Sequence, residues 1–135
     1  MQFEKVTLSW YDPPNEAFAA KCLLHNLDLL VTDPEGRVFY GNTHVRDSVP
    51  SPESSRDELN NNEQVHLVNP IPGKWTVRVQ SALLFESAWQ NYSIVITLNG
   101  TVVRTYLLFS LSIHKNNLFS FSQGFQYCYG GFESV

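Results

Sequence analysis

Aspartate, asparagine and glutamate side chains that could bind a metal ion stand next to three predicted strands. They are Asp12 after the first strand, Asn26 and Asp28 at the start of the second, and Asp57, Asn60, Asn61 and Glu63 before the fourth. Calcium takes about six to eight hard oxygen ligands of these kinds, so loops that meet at one end of a fold could form a calcium site. The same residue types also hydrogen-bond loop backbone. The spacing is not that of an EF-hand, and both interpretations stay open.

Catalytic chemistry has little support in the sequence. The four histidines are dispersed along the chain, and no serine has a local activating context. The nucleophile elbow of hydrolases, the zinc-binding H-E-x-x-H motif, the P-loop and the dinucleotide-binding glycine motif do not occur. We therefore predict that this chain has no catalytic residues.

The elements that would position the polar residues are β-strands. Apolar and polar residues alternate with period two, as in Val6, Leu8 and Trp10, and turn residues separate the runs. The predicted strands are residues 5–10, 27–31, 37–40, 63–68, 74–80 and 89–98. The turn at residues 33–36 and the Asn99-Gly100 pair each predict a hairpin. Short strands with frequent turns predict an all-β fold, an antiparallel β-sandwich or jelly roll.

Two segments differ from this pattern. Residues 41–62 form a long polar loop, and such loops in compact domains are usually functional, held by an ion, or mobile. Residues 102–135 contain only three charged side chains and are rich in Phe, Leu, Tyr and Ser. This final segment is expected to supply additional strands or to form a poorly ordered apolar tail.

Length and composition narrow the class of protein. The chain has 135 residues, which indicates one domain, and 43% of them are hydrophobic while 16% are charged. The net charge of −4 argues against nucleic acid as a partner, because phosphate binding needs a basic surface. No signal-peptide pattern is present, and no apolar stretch is long enough to span a membrane. Cys22 and Cys128 either form one bridge or remain two free thiols.

Five short motifs follow one another between residues 4 and 100. They are Asp-Pro-Pro at 12–14, Asn-Leu-Asp-Leu at 26–29, Tyr-Gly-Asn at 40–42, Asn-Asn-x-Glu-Gln-Val at 60–65, and Gly-Lys-Trp-Thr-Val-Arg-Val at 73–79. This ordered set resembles the C-terminal β-sandwich domain that follows the catalytic domain in many subtilisin-like serine proteases. On this resemblance, residues 1–100 are a sandwich domain of that type, and residues 101–135 are the additional strands or apolar tail.

The resemblance implies a jelly roll of galactose-binding-like architecture, related to the P domain of kexin-like convertases. It implies a non-catalytic accessory domain, or a fragment, that stabilises or supports a subtilase catalytic domain in cis or in trans. It also implies a secreted or vesicular location. Domains of this kind often carry calcium, and on the resemblance the ligands here are Asp28 and Glu63, followed by Asp12, Asn26 and Asn60.

The alternative function is a carbohydrate- or protein-binding jelly-roll module, because this architecture hosts many lectin-like proteins. Trp89, Tyr40 or Trp75 beside the Asn-rich loops could stack on a sugar, provided that the rings are exposed. The alternation of the strands instead favours core positions for Trp75 and Trp89.

Overall fold

The computed structural model describes residues 3–42, 56–83, 89–98, 101–112, 120–128 and 131–134. This described part of the chain contains nine strands and no helix. The strands are β1 (Phe3–Trp10), β2 (Asn26–Thr32), β3 (Val38–Tyr40), β4 (Asn62–Val68), β5 (Gly73–Leu83), β6 (Trp89–Leu98), β7 (Thr101–Ser112), β8 (Ser120–Cys128) and β9 (Gly131–Ser134). The predicted all-β fold is confirmed. Accordingly, the described residues hold no helix that is long and apolar enough to cross a membrane.

The strands form two antiparallel sheets. The first has four strands in the order β4-β1-β6-β7, and the second has five in the order β3-β2-β5-β8-β9. Consecutive strands pair as β2–β3, β6–β7 and β8–β9, while every other connection between consecutive strands passes from one sheet to the other. The chain is therefore an antiparallel β-sandwich, in which the two sheets share one core.

Alternation along the strands places one apolar row of each sheet in the interior. In β4, Val65 and Leu67 are fully buried, whereas their sequence neighbours Gln64 and His66 are only half-buried. The rings of Phe39 and Trp75 stack at a centroid distance of 6.2 Å. Burial of a large apolar side chain is worth about 1.5–3 kcal/mol. The interior rows consist of Val6, Leu8, Trp10, Leu27, Leu29, Val31, Phe39, Val65, Leu67, Trp75, Val77, Val79, Tyr92, Ile94 and Ile96.

The β2 strand is buried on both faces over almost its whole length. Leu27 and Leu29 point into the core, and Asn26, Asp28 and Leu30 are also buried although they belong to the opposite face. The side chain of Asp28 is covered on that face by groups from other segments. This second buried face brings polar groups together in a low-dielectric environment, which makes it a candidate functional region.

Both predicted hairpins are present. Thr32 pairs with Val38 across the first turn, where Asp33 Oδ1 accepts hydrogen bonds from the backbone N–H groups of Glu35 and Arg37. Gly36 supplies the left-handed backbone, with φ of 83°. In the second hairpin, Leu98 pairs with Thr101. Its turn residues, 99 and 100, lie outside the described residues.

The backbone beyond residue 100 extends both sheets. Strand β7 pairs with β6, β8 pairs with β5 over eight residues, and β9 pairs with β8. Most of the predicted polar loop, residues 43–55, lies outside the described residues.

Candidate functional site

Three of the sequence motifs meet at one end of β3, in what we call the Glu63 junction. Gly41 N donates to Leu29 O at 2.9 Å, and Glu63 Oε2 accepts a hydrogen bond from Leu29 N at 2.6 Å. Asn42 N donates to Gln64 O, and Gln64 N donates to Asn42 Oδ1, both at 2.9 Å. Strand β3 ends at Tyr40, so the edge of β2 beyond it lacks a strand partner there. The carboxyl group of Glu63 supplies the acceptor that a longer β3 would have provided.

The junction requires glycine at position 41. A Cβ atom added to Gly41 would lie 2.6 Å from Glu63 Cβ and would overlap the Glu63 carboxyl group. The neighbouring Asn42 has φ of 58°, in the left-handed region that asparagine tolerates better than most residues. The Tyr-Gly-Asn motif therefore has a steric explanation: it lets the chain turn tightly around the Glu63 side chain.

Glu63 is a buried carboxyl group with a raised pKa. Its exposed fraction is 1%, and burial raises its pKa to about 8. The Leu29 N–H and the positive charge of Arg56 lower the pKa, while the negative charges of Asp28 and Asp57 raise it further. Glu63 is consequently mostly protonated at neutral pH.

Arg56 provides the positive charge near the junction. Its guanidinium Nη1 lies 3.3 Å from Asp28 Oδ2, and its Cζ lies 5.3 Å from the centre of the Tyr40 ring. Gln80 Nε2 approaches the same Asp28 oxygen at 3.5 Å. The Asp28 side chain is 2% exposed and that of Arg56 is 27% exposed. The guanidinium thus compensates a buried carboxylate and stacks on an aromatic face, which is an arrangement that suits arginine better than lysine.

Asp57 organises the loop that enters β4. It accepts hydrogen bonds from the side chains of Asn42 and Asn60 and from the backbone N–H groups of Leu59 and Asn60. Burial alone would raise the pKa of Asp57, but these hydrogen bonds outweigh it and lower the pKa. Asp57 therefore stays ionised as a turn-forming carboxylate.

The structure distributes the five predicted calcium ligands over different environments. Asp28 and Glu63 lie close enough to affect each other electrostatically, and Asn60 reaches their vicinity only through Asp57. Asp12 accepts hydrogen bonds from the backbone N–H groups of Leu24 and His25 at 2.9 and 2.7 Å, so it serves as a loop cap. Asn26 is buried, and its Oδ1 has no hydrogen-bond partner among the described residues.

The described residues do not bring the five candidate ligands together as one donor set. Glu63 accepts the hydrogen bond from Leu29 N within the junction. The other strong candidate, Asp28, is already paired with the Arg56 guanidinium. Within the part of the chain that the structure describes, no group of three or more His, Cys, Asp or Glu side chains could hold a metal ion. Calcium binding stays a prediction, which a calcium titration tests.

A second candidate site is an open groove on the outer face of the first sheet, at the end where β1 stops. We call it the Tyr11 groove. Its volume is about 440 Å³, within the usual range for ligand sites. Exposed or half-buried polar side chains and the Tyr11 ring, which is 81% exposed, surround a floor made by Trp10 and Tyr92. The lining residues are Ser9, Trp10, Tyr11, Asn61, Asn91, Tyr92 and Ser93.

Buried hydrogen bonds below the Tyr11 groove hold its floor. Trp10 Nε1 donates to His25 O at 3.1 Å, and Asn61 Nδ2 donates to Trp10 O at 3.1 Å. Gln90 Oε1 lies 2.6 Å from His25 Nδ1, and Gln90 Nε2 donates to Tyr11 O at 3.0 Å. The backbone that carries Tyr11 is therefore anchored to the sandwich, although its ring is exposed.

The three aromatic residues that could stack on a sugar differ in how exposed their rings are. Trp75 is 1% exposed and is a core residue, as the alternation predicts. Tyr40 is buried and lies under Arg56, so neither ring is available to a ligand. Trp89 is 70% exposed, so the core position that the alternation favours for it is wrong. Cys22 is exposed with a free thiol.

Fold and sites together define an antiparallel β-sandwich protein with a buried, charge-compensated junction and a neutral surface groove. A scan against models of protein families finds no match to this chain, and a search of curated proteins finds none either.

The sequence analysis did not identify Arg56 or Tyr11. Arg56 lies in the long polar loop, and nothing local links it to Asp28. The exposure of Tyr11 could be predicted from the sequence. Trp10 is the last inward residue of an alternating run, so the next residue is expected to face outward. The groove itself depends on the pairing of Trp10 with Tyr92, which the sequence does not specify.

Proposed function

We propose that this chain is a non-catalytic accessory domain of a subtilisin-like serine protease, which stabilises the catalytic domain in cis or in trans. The observation that carries the proposal is the Glu63 junction. The segments at 26–29, 40–42 and 60–65, which carry the family resemblance, are far apart in sequence yet hydrogen-bonded to one another. A jelly roll of galactose-binding-like architecture and a secreted or vesicular location are parts of the same proposal.

The proposed docking surface lies on the loops before β2 and before β4. Phe18 is fully exposed with φ of 65°, an uncommon backbone conformation for an aromatic residue, and Leu59 is 72% exposed. Lys21 Nζ lies 3.2 Å from Glu58 Oε2, which ties the two loops together. Exposed large apolar side chains on linked loops are typical of interaction surfaces. Docking that favours the native catalytic domain raises its stability by mass action.

The first test is the coding sequence on both sides of this chain, together with an activity assay. The proposal expects a subtilase catalytic domain in frame, or a separate subtilase that binds the purified chain in a pull-down. It also expects that purified residues 1–135 do not hydrolyse peptides. Peptide hydrolysis by the purified chain that a serine-directed inhibitor abolishes would overturn the proposal.

Two variants of the exposed apolar residues, with a third variant as a control, test the docking surface. Phe18→Ala and Leu59→Ala should weaken binding to the catalytic domain, because each removes an exposed apolar contact. Trp89→Ala, which removes an exposed aromatic ring elsewhere, should leave that binding unchanged. Equal binding of the unaltered protein and the three variants to the catalytic domain would contradict the proposed docking surface.

A further inference from the structure

We propose that the Tyr11 groove binds a neutral saccharide chain. This inference goes beyond the accessory role and does not depend on it. The groove combines an exposed aromatic ring, two carboxamides from Asn61 and Asn91, and two hydroxyl groups from Ser9 and Ser93. A pyranose presents C–H groups on its faces and hydroxyl groups around its rim, and these side-chain types match both features.

The charges of the groove favour a neutral ligand. Among the residues whose side chains the structure describes, no Asp, Glu, Lys, Arg or His lines it. A phosphorylated ligand or nucleic acid would find no cation in the groove.

The backbone beneath the groove disfavours an extended peptide. Strands β1 and β6 form the floor, and both are interior strands of the first sheet, with β4 and β7 on their outer sides. Peptides that add to a sheet need an unpaired edge, and the main-chain groups of these strands are already paired. Recognition must therefore use side chains alone, as the exposed ring, amides and hydroxyls allow.

A second exposed aromatic ring, that of Trp89, lies outside the groove lining but on the same strand as Asn91. Trp89 and Asn91 are two residues apart on one strand, so their side chains share a face about 7 Å apart. Trp10 pairs with Tyr92 at the end of β1, and the next residue, Tyr11, lines the groove together with Asn91. Two rings with an amide between them suit a chain of at least two sugar units.

The buried hydrogen bonds beneath the groove support a preformed site. Asn61 Nδ2 is held by Trp10 O, and Ser93 Oγ lies 3.4 Å from Ser9 O, so these side chains are oriented before a ligand arrives. Preorganised polar groups lose little conformational entropy on binding.

The test uses residues 1–135 produced in a host without N-glycosylation, because Asn91-Tyr92-Ser93 is an acceptor sequence and a glycan there would cover the groove. The probes are short neutral oligosaccharides of the β-glucan, mannan, chitin and galactan series. Binding is measured by titration calorimetry and by amide chemical-shift changes in two-dimensional NMR spectra. We expect millimolar or tighter binding of at least one series, with shifts confined to the ends of β1 and β6 and to residues 61 and 62.

Variants distinguish saccharide binding in the groove from nonspecific binding elsewhere on the surface. Tyr11→Ala should weaken binding at least about tenfold, which is about 1.4 kcal/mol. Phe18→Ala removes a fully exposed ring outside the groove. This control should change neither the affinity for the saccharide nor the melting temperature. Absence of binding in all four series would overturn the inference. So would an equal loss in the two variants, or shifts located away from the groove. The docking assay with Phe18→Ala is independent, so either proposal can fail alone.

Discussion

Replacement of Glu63 by glutamine should change how stability depends on pH. Glutamine has the same size and keeps an oxygen that can accept the Leu29 N–H hydrogen bond. Burial holds the pKa of Glu63 at about 8, against an ordinary value of 4.5. Between these two pH values the folded protein keeps a proton that the unfolded chain has lost. This group's contribution to stability is therefore fully present below about pH 4.5 and is lost as the pH rises toward 8.

The slope follows from proton linkage. One extra proton in the folded state lowers the free energy of unfolding by about 1.4 kcal/mol per pH unit. From pH 5 to pH 7.5 the unaltered protein should thus lose roughly 3 kcal/mol relative to Glu63→Gln. The charges of Asp28 and Asp57, which raise the pKa of Glu63, and of Arg56, which lowers it, are already included in the value of about 8. Other titrating groups are common to both proteins and cancel in the comparison.

The assay is urea unfolding, followed by tryptophan fluorescence, at several pH values between 5 and 8. The control is Glu58→Gln, which neutralises a carboxylate that is 63% exposed and paired with Lys21. The control should follow the unaltered protein at every pH to within about 0.5 kcal/mol. Parallel stability curves for Glu63→Gln and the unaltered protein would refute the assignment of a buried, protonated Glu63.

Three further substitutions and one titration test other parts of the sandwich. Gly41→Ala should destabilise the fold by roughly 3 kcal/mol in thermal melts, because the new Cβ overlaps Glu63. The control is Gly36→Ala, where the space is open but φ is positive, and it should cost only about 1 kcal/mol. Arg56→Ala should cost roughly 2 kcal/mol in urea unfolding, because Asp28 loses its guanidinium partner. If the predicted calcium site exists, added calcium should raise the melting temperature of the unaltered protein and a chelator should reverse the rise; an unchanged melting temperature would contradict the site. Asp12→Ala should cost about 2 kcal/mol in urea unfolding, since two backbone N–H groups lose a charged acceptor; an unchanged midpoint would show that the cap is dispensable.

Period-two alternation predicts the six strands before residue 100, but it does not locate the three strands that follow. A strand that buries one face must alternate, so Val65 and Leu67 mark β4, and the same parity places Glu63 on the inward side. The hairpin before β3 followed from the chemistry of its turn, where Gly36 takes a left-handed backbone and Asp33 accepts local N–H groups. These features depend on neighbours in the chain, which sequence reasoning can use.

The sites depend on contacts between distant segments, and for that reason they could be predicted only in part. The sequence motifs point to Asp28 and Glu63 together. They do not predict the environment of the two carboxyl groups, because Arg56 reaches Asp28 from a loop that the pattern of strands leaves undefined. The burial of Tyr40 has the same origin, since the guanidinium covers its ring. Tyr11 could be assigned to the outside by parity, yet its neighbour Asn91 follows only from strand register.

Thermal inactivation tests most directly the proposal that this sandwich supports a subtilisin-like catalytic domain. A subtilase domain found in frame with this chain, or a subtilase captured by it, is heated with and without residues 1–135, and its residual peptidase activity is followed over time. The account predicts a longer half-life of activity when the sandwich is present, and a loss of that gain with Phe18→Ala. Identical half-lives with and without the sandwich would contradict it.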